Sequence, residues 1–347
     1  MTRHFCTYFD HRFLPRGLAL HESLQRHCSP FVLWVLCLDH LCYDALERLG
    51  LPGVRLISLA QLEQADPELL VAKGNRSQVE YYFTCTPSLP RYVLGIEAGV
   101  DLITYVDADM FFFSDPGPIY DELGSASIGI VSHRFAPELS GREIYGKYNV
   151  GILCFRRDHE GARCLEWWRE RCLEWCHDRA EDGRFADQKY LDEWPRLFSS
   201  VKVLEHKGVN LAPWNIANHT MTKRGRLPSA DGDRLVVYHF HSLNKIGRWV
   251  FNPGLSMYGA KANRLIRRSI YGPYLKVLNA KMGTAKEVLG TSGEFSNSRY
   301  VTQSGANPGS GRTILGRIMD KRRRVVEMMR GVARGRYLLN IPGFGTW

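Results

Sequence analysis

The sequence predicts an α/β fold: a mainly parallel sheet with helices on both faces. Two observations point there. Strand-like and helix-like segments alternate through most of the chain, the pattern of a parallel sheet with crossover helices. Aspartates also interrupt a strongly apolar run, in "LITYVDADMFFF", at the point where a strand would end. In parallel sheets ligands bind at the carboxyl ends of the strands.

The elements follow in order. "HFCTYFD" opens as a strand, then come a helix through "GLALHESLQRH", the strand "FVLWVLCLD", a helix near "YDALERLG" and the short strand "VRLISL". A helical stretch from about Val79 to Ala98 leads into the strand Leu102, Ile103, Tyr105, Val106. "SIGIVSH" and "NVGILCFRRD" are further strands. The repeated CLEW of "CLEWWRERCLEWCHD" places Trp167, Trp168 and Trp175 on a core-facing aromatic helix. "GRFADQKYLDEWP", the loop "GVNLAPWNIANH" and the strand "RLVVYHFHSLNKIG" follow.

At 347 residues and 44% hydrophobic, the chain supports one large domain, or a domain with an appendage. It has no run of eighteen apolar residues and no signal-peptide core, so a cytoplasmic protein is expected. Nine cysteines, several in apolar runs (Cys6, Cys37, Cys154), fit a reduced compartment and no disulfide framework. Cys164, Cys172, Cys176 and His177 could be drawn as a zinc site, but they lack a second close ligand pair. The net charge of +10 is uneven: residues 281–347 hold twelve Lys or Arg against four Asp or Glu. The expected organisation is a domain over 1–280, a Gly/Ser/Asn-rich linker over 281–311 and a basic amphipathic segment over 312–347. Within residues 312–339 a helical stripe collects Ile314, Leu315, Ile318, Met319, Val325, Val326, Met329 and Val332. An apolar stripe under basic charge favours an anionic membrane surface over nucleic acid, and a helix packed back on the domain is the competing expectation.

Two carboxylates at the end of a buried strand lose hydration and repel each other, so they sit in solvent or share a cation. "VVYHFHSL" places His239 and His241 on one face of a strand by alternation, so an imidazole can join Asp107 and Asp109. Carboxylates alone suit Mg²⁺; an added nitrogen ligand shifts the preference towards Mn²⁺. Lys245 adds a cation suited to a phosphate, and metal plus lysine describes a diphosphate clamp.

"YVDADM", "NVGIL", "ADQKYLD" and "HFHSLNK" occur in the order seen in family 8-like glycosyltransferases, and over roughly residues 3–250 the chain resembles them. These are nucleotide-sugar-dependent enzymes of the GT-A fold, related to glycogenin and to the lipopolysaccharide galactosyl- and glucosyltransferases. The strings "YGKYNVG", "DGRFADQKYLD" and "NLAPWN" resemble a bacterial polysaccharide-glycosyltransferase subgroup. The resemblance implies metal binding by Asp107, Asp109 and His239, with Asp107 also on the ribose, and diphosphate binding by Lys245. Thr7 and Tyr8 match the uridine-contacting segment. Asn149 and Gly151 match the Asn-x-Gly beside the donor sugar, Asp187 and Gln188 the pair at its reacting face, and Trp214 and Asn215 a Trp-Asn pair near the active site. It further implies a UDP-sugar donor, Mn²⁺ with Mg²⁺ as the alternative, a glycan or lipid-linked glycan acceptor, and retention of anomeric configuration. No nucleic-acid partner is expected, and the membrane location would be peripheral. Two positions depart from the pattern: Ser242 stands where glycine is expected, and Ile246 where proline follows the lysine.

Asp187 has a second reading as the N-cap of a "QKYLDEW" helix. The segment "RFAPELSGREIYGKY" reads as an acceptor-side or lid loop. Two other classes compete with a transferase. A haloacid-dehalogenase-like phosphatase also uses Asp-x-Asp, but Phe111 stands where Thr or Val is expected and the motif lies far from the start of the domain. A non-catalytic scaffold of the same fold would bind a membrane or nucleic acid through its basic tail.

Overall fold

The computed structural model describes residues 2–225, 227–290, 327–341 and 345–347. Its centre is a seven-stranded sheet: β1 (Arg3–Phe9), β2 (Phe31–Cys37), β3 (Val54–Ser58), β4 (Leu102–Val106), β6 (Ile128–Ser132), β7 (Tyr148–Arg156) and β8 (Val201–Leu204). A short β5 (Met110–Phe112) lies outside it. The order is β3-β2-β1-β4-β7-β6-β8, and β7 alone runs against its neighbours. The mainly parallel sheet expected from the alternation is therefore present.

Alternation along these strands feeds two cores, one on each face. Cys6, Tyr8, Trp34, Leu36, Ile103 and Tyr105 face one cluster, while Phe5, Phe9, Leu33, Val35 and Cys37 face the other. Both faces are covered, which is why the strands read as continuous apolar runs rather than as alternating ones. The helix Gln78–Ile96 starts where the sequence offers a capping box, Ser77 with Glu80, and leads into β4. After β3 the chain returns to the other side of β1 to form β4, so the strand order reverses between β1 and β4. Crevices form at the carboxyl ends of strands at such a reversal.

The aromatic helix spans His159–Glu174, so Trp175 lies beyond its end with an extended backbone rather than on it. Trp168 is fully buried and Trp167 packs beside it, as a core-facing helix requires. All nine cysteines are free and buried. Among the described residues, the group of side chains that could share a metal is Asp107, Asp109 and His239, not the Cys164–His177 set. The buried thiols of that set pack as apolar groups.

Two boundaries differ from the compositional reading. The helix Gly272–Leu289 runs through the start of the expected linker, its apolar side against the helix Leu14–His27 and the core. At the other end, residues 327–333 are helical but the helix does not reach 339. Gly335 turns the chain with φ 72°, and Leu338–Ile341 is a strand paired with Val250–Asn252. Ile314, Leu315, Ile318, Met319, Val325 and Val326 lie outside the described residues. Among the described residues no helix is long and apolar enough to cross a membrane.

Candidate active site

β4 ends at Val106, and the chain turns through Asp107 to Asp109 before entering β5. Strand Val237–His239 pairs antiparallel with β5, His239 opposite Met110. This pairing carries a residue 130 positions downstream to the two carboxylates. His239 Nε2 lies 3.1 Å from Asp109 Oδ1 and 3.5 Å from Asp107 Oδ2. The Tyr105 hydroxyl donates to the other Asp107 oxygen at 2.8 Å, which fixes that carboxylate. The backbone is pinned independently: Asp107 N–H donates to the Gly151 carbonyl, and Phe240 N–H to the Asp109 carbonyl.

The donor set fits a divalent cation. Neighbouring ligands about 2.1 Å from a metal in octahedral geometry lie roughly 3 Å apart, close to the spacings seen here. His239 and His241 were expected on one strand face; the strand ends at His239, and both rings line the same cleft. His241 stays outside the ligand group, its ring centroid 5.9 Å from that of His239. Trp214 stands edge-on to both rings.

The three residues open into a cleft of about 650 Å³, within the range of roughly 300–1,000 Å³ usual for small-molecule sites. Asp187, Gln188, Asn149 and Trp214 line it with them, so the structure gathers most of the expected site. Asp187 is not a helix cap. The short 3-10 helix is Lys189–Glu193, and its cap position is Gln188, which makes no side-chain cap. The Asp187 carbonyl accepts the Trp168 indole N–H at 2.7 Å, and Ala186 before it is held at φ 45°. A left-handed alanine is strained backbone, of the kind that collects at functional sites.

Asn149 sits in an amide network. Its Nδ2 donates to Gln188 Oε1 at 3.1 Å, and its Oδ1 accepts from Asn210 Nδ2 and from the Gly151 N–H. Nδ2 also lies 3.3 Å from His133 Nε2, while His133 Nδ1 faces the Lys147 carbonyl. That pattern makes Nδ1 the protonated nitrogen of a neutral ring. Burial, with His241 and His239 adding to it, pulls the His133 pKa down to about 3. The folded value lies below the unfolded one, so stability falls as the pH drops from about 6.5 towards 3. Between pH 7 and pH 5 the wild type should lose on the order of 1–2 kcal/mol more than His133→Gln, read by urea unfolding.

Other expected positions lie elsewhere. Thr7 and Tyr8 are packed in the sheet, the Tyr8 hydroxyl 3.1 Å from Thr86 Oγ1, and neither lines the cleft. Asn215 is fully buried and spends its amide on backbone, accepting from Ala212 N–H and donating to the His133 and Asn210 carbonyls. It shapes the loop that presents Trp214. Gly151 does not line the cleft but lets β7 approach it. A Cβ there would come within 2.6 Å of Asn149 Oδ1 and 2.8 Å of His239 Nδ1. Gly151→Ala should therefore displace His239 and weaken divalent-cation affinity by about 10- to 100-fold, read by calorimetric titration.

Ser242, in the place of an expected glycine, adopts φ 58°, so the turn keeps a glycine-like backbone without a glycine. Asn244 follows on the cleft wall. Lys245 is its neighbour on a strand and by alternation faces away from the cleft. Its ammonium lies 5.8 Å from the Phe251 ring centroid, and burial and nearby Lys286 lower its pKa. The segment read as a lid contains the 3-10 stretch Pro137–Tyr145, which has no buried residue. Arg142 ties it across the cleft, donating to the Met257 carbonyl and stacking on Tyr258. Sequence reasoning missed His133, Asn210 and Tyr258. His133 directly follows β6, so the rule that ligands meet strand ends could have found it.

No protein-family model matches the chain. Among solved structures it is similar to the galactosyltransferase LgtC in complex with donor and acceptor sugar analogues (17% identity, 80% of this chain and 95% of that one, TM-score 0.49). It is also similar to the glycosyltransferase GlyE of Streptococcus pneumoniae TIGR4 (16%, 83% and 64%, TM-score 0.45). A third is mouse xyloside xylosyltransferase 1 (13%, 69% and 97%, TM-score 0.45). Among curated proteins it is 32% identical over 283 residues to the uncharacterized protein YfnD of Bacillus subtilis (strain 168), covering 81% of this chain and 89% of the relative. To the uncharacterized protein YfnF of the same strain it is 36% identical over 248 residues, 69% of this chain and 81% of the relative. At that identity and coverage, the chain belongs to the family of YfnF and YfnD.

Proposed function

We propose that the protein is a metal-dependent GT-A glycosyltransferase. It moves a hexose from a nucleotide diphosphate donor, a UDP-sugar, to a surface-glycan or lipid-linked glycan acceptor with retention of anomeric configuration. One observation carries the reading: two carboxylates and an imidazole converge at the carboxyl end of the sheet, beside a cleft with Asp187, Gln188 and Asn149 across from them. His239 beside both carboxylates favours a shared cation over a phosphatase in which one aspartate acts alone as nucleophile.

Asp107, Asp109 and His239 would hold a divalent cation, Mn²⁺ before Mg²⁺, which would supply Lewis-acid stabilisation of the charge that grows on the leaving diphosphate. The Ser242–Asn244 wall borders the diphosphate, with Lys245 and Lys286 behind it raising the positive potential. Gln188 and Asn149 present amide groups, suited to orienting sugar hydroxyls. The Asp187 carboxylate stabilises the positive charge that develops at the anomeric carbon. The departing phosphate oxygen, on the same face as the incoming acceptor, takes the acceptor proton, so no strong general acid is needed.

The test is a donor screen that measures UDP release from UDP-glucose, UDP-galactose and their N-acetyl forms, with Mn²⁺ and with chelator. Metal-dependent release from at least one donor is expected. Hydrolysis of phosphomonoesters with Mg²⁺, and no release from any donor, would support the phosphatase instead.

A further inference from the structure

The cleft wall that carries Ser242 and Asn244 is a very small hairpin. Asn244–Lys245 pairs with Val250–Asn252, two and three residues long, closed by the Ile246 and Gly247 N–H groups on the Val250 carbonyl. A two-stranded hairpin of this size does not hold itself in water; a third strand or a packed face must support it. The support comes from far along the chain. Leu338–Ile341 adds to the outer edge of Val250–Asn252, and Gly345–Thr346 adds to it in turn.

The register makes this support specific. Lys245 lies opposite Phe251, and Phe251 opposite Leu338. Directly opposed residues project from the same face. The three therefore form one cross-strand row: Leu338 fully buried, Phe251 2% exposed, and the Lys245 ammonium over the Phe251 ring. The opposite face of the same hairpin carries Asn244 to the cleft. Polar contacts fix the added strand's position. Asn340 N–H donates to the Trp249 carbonyl at 2.8 Å, and the Asn340 side chain donates to Thr346 Oγ1 and accepts from Asn279 of the helix Gly272–Leu289.

We infer that the strand Leu338–Ile341 is a positioning element of the cleft. Through Leu338 and Phe251 it holds the Ser242–Lys245 wall against which the donor diphosphate binds, while contributing nothing to the metal trio. The inference rests on the transferase reading for the identity of the ligand, but not for the mechanical coupling. It also assigns the end of the basic region a place in the domain, rather than in a separable arm.

The experiment uses the full chain and three variants, Leu338→Ala, the milder Leu338→Val and the volume-conserving Leu338→Met. For each, Mn²⁺ affinity, UDP affinity in saturating Mn²⁺, donor KM and kcat, and amide exchange are measured. Leu338→Ala should speed exchange of the Ile246 and Gly247 amides at least about tenfold while β1 and β4 keep their protection. UDP affinity and donor KM should worsen by about ten- to a hundredfold, with Mn²⁺ affinity unchanged. Leu338→Val should fall between, and Leu338→Met should restore wild-type values. Unchanged hairpin exchange, or unchanged UDP affinity beside a wild type that binds UDP, overturns the inference. A parallel loss of Mn²⁺ affinity and sheet protection overturns it too, by making Leu338 a general stability residue. A wild type that binds no UDP in Mn²⁺ overturns the transferase reading, and the exchange data then decide the mechanical coupling by themselves.

Discussion

Asp109→Ala should abolish Mn²⁺-dependent UDP binding and cut turnover on the order of a thousandfold or more, while leaving the protein folded. The Asp109 carboxylate is nearly buried and lies 3.1 Å from His239 Nε2, so it has a place in any cation site built from these residues. Without it, one carboxylate and one neutral imidazole face a dication. A metal contributes several kcal/mol to a transition state of this charge, and each 1.4 kcal/mol is a factor of ten. The fold survives because the Asp109 backbone, not its side chain, bonds to Phe240. Removing one of two adjacent carboxylates also relieves repulsion in the metal-free protein, so its melting temperature should hold or rise. Titration of UDP in Mn²⁺ and a thermal scan in chelator measure the two halves. Unchanged nucleotide affinity would end the metal reading.

Asp187→Asn should leave UDP affinity intact and lower turnover by about a hundredfold or more, because a fixed carboxylate acts on charge that exists only in the transition state. The substitution keeps shape, and the Asp187 carbonyl stays held by the Trp168 indole, so misfolding is not the expected cause of any loss. Steady-state kinetics with UDP titration of the same sample separates the two effects. Normal turnover would return Asp187 to a structural role.

Much of this site is legible in the sequence because it is built from strand ends. An apolar run that stops at Asp107 announces both a buried strand and its solvent-facing terminus, and the histidine strand carries its own alternation. The Asn149 and Asp187 segments were identified by resemblance, not by pattern. Where the structure places an expected residue away from the cleft, the reason is physical. Thr7 and Tyr8 lie in a strand covered on both faces, and motif matching does not reveal which groups point outward. Lys245 and Asn244 are adjacent, so a one-residue difference in strand register decides which of them meets the ligand. The strand at Leu338 is invisible to composition, since its partner is Phe251, far away in sequence, and the basic residues around it suggest an amphipathic segment at a membrane surface. Gly335 turns the chain back onto the domain.

The most direct measurement is the change in melting temperature on adding UDP, with Mn²⁺ and with chelator, to the wild-type protein and to Asp107→Asn. Ligand that binds only the folded state stabilises it in proportion to the logarithm of its concentration over Kd. The wild type should be stabilised by UDP in Mn²⁺ by several degrees, on the order of 2–3 kcal/mol at a hundredfold excess over Kd, and not in chelator. Asp107→Asn should show neither shift. Equal stabilisation by UDP with and without metal, or none under either condition, would contradict a metal-bridged nucleotide site at Asp107, Asp109 and His239.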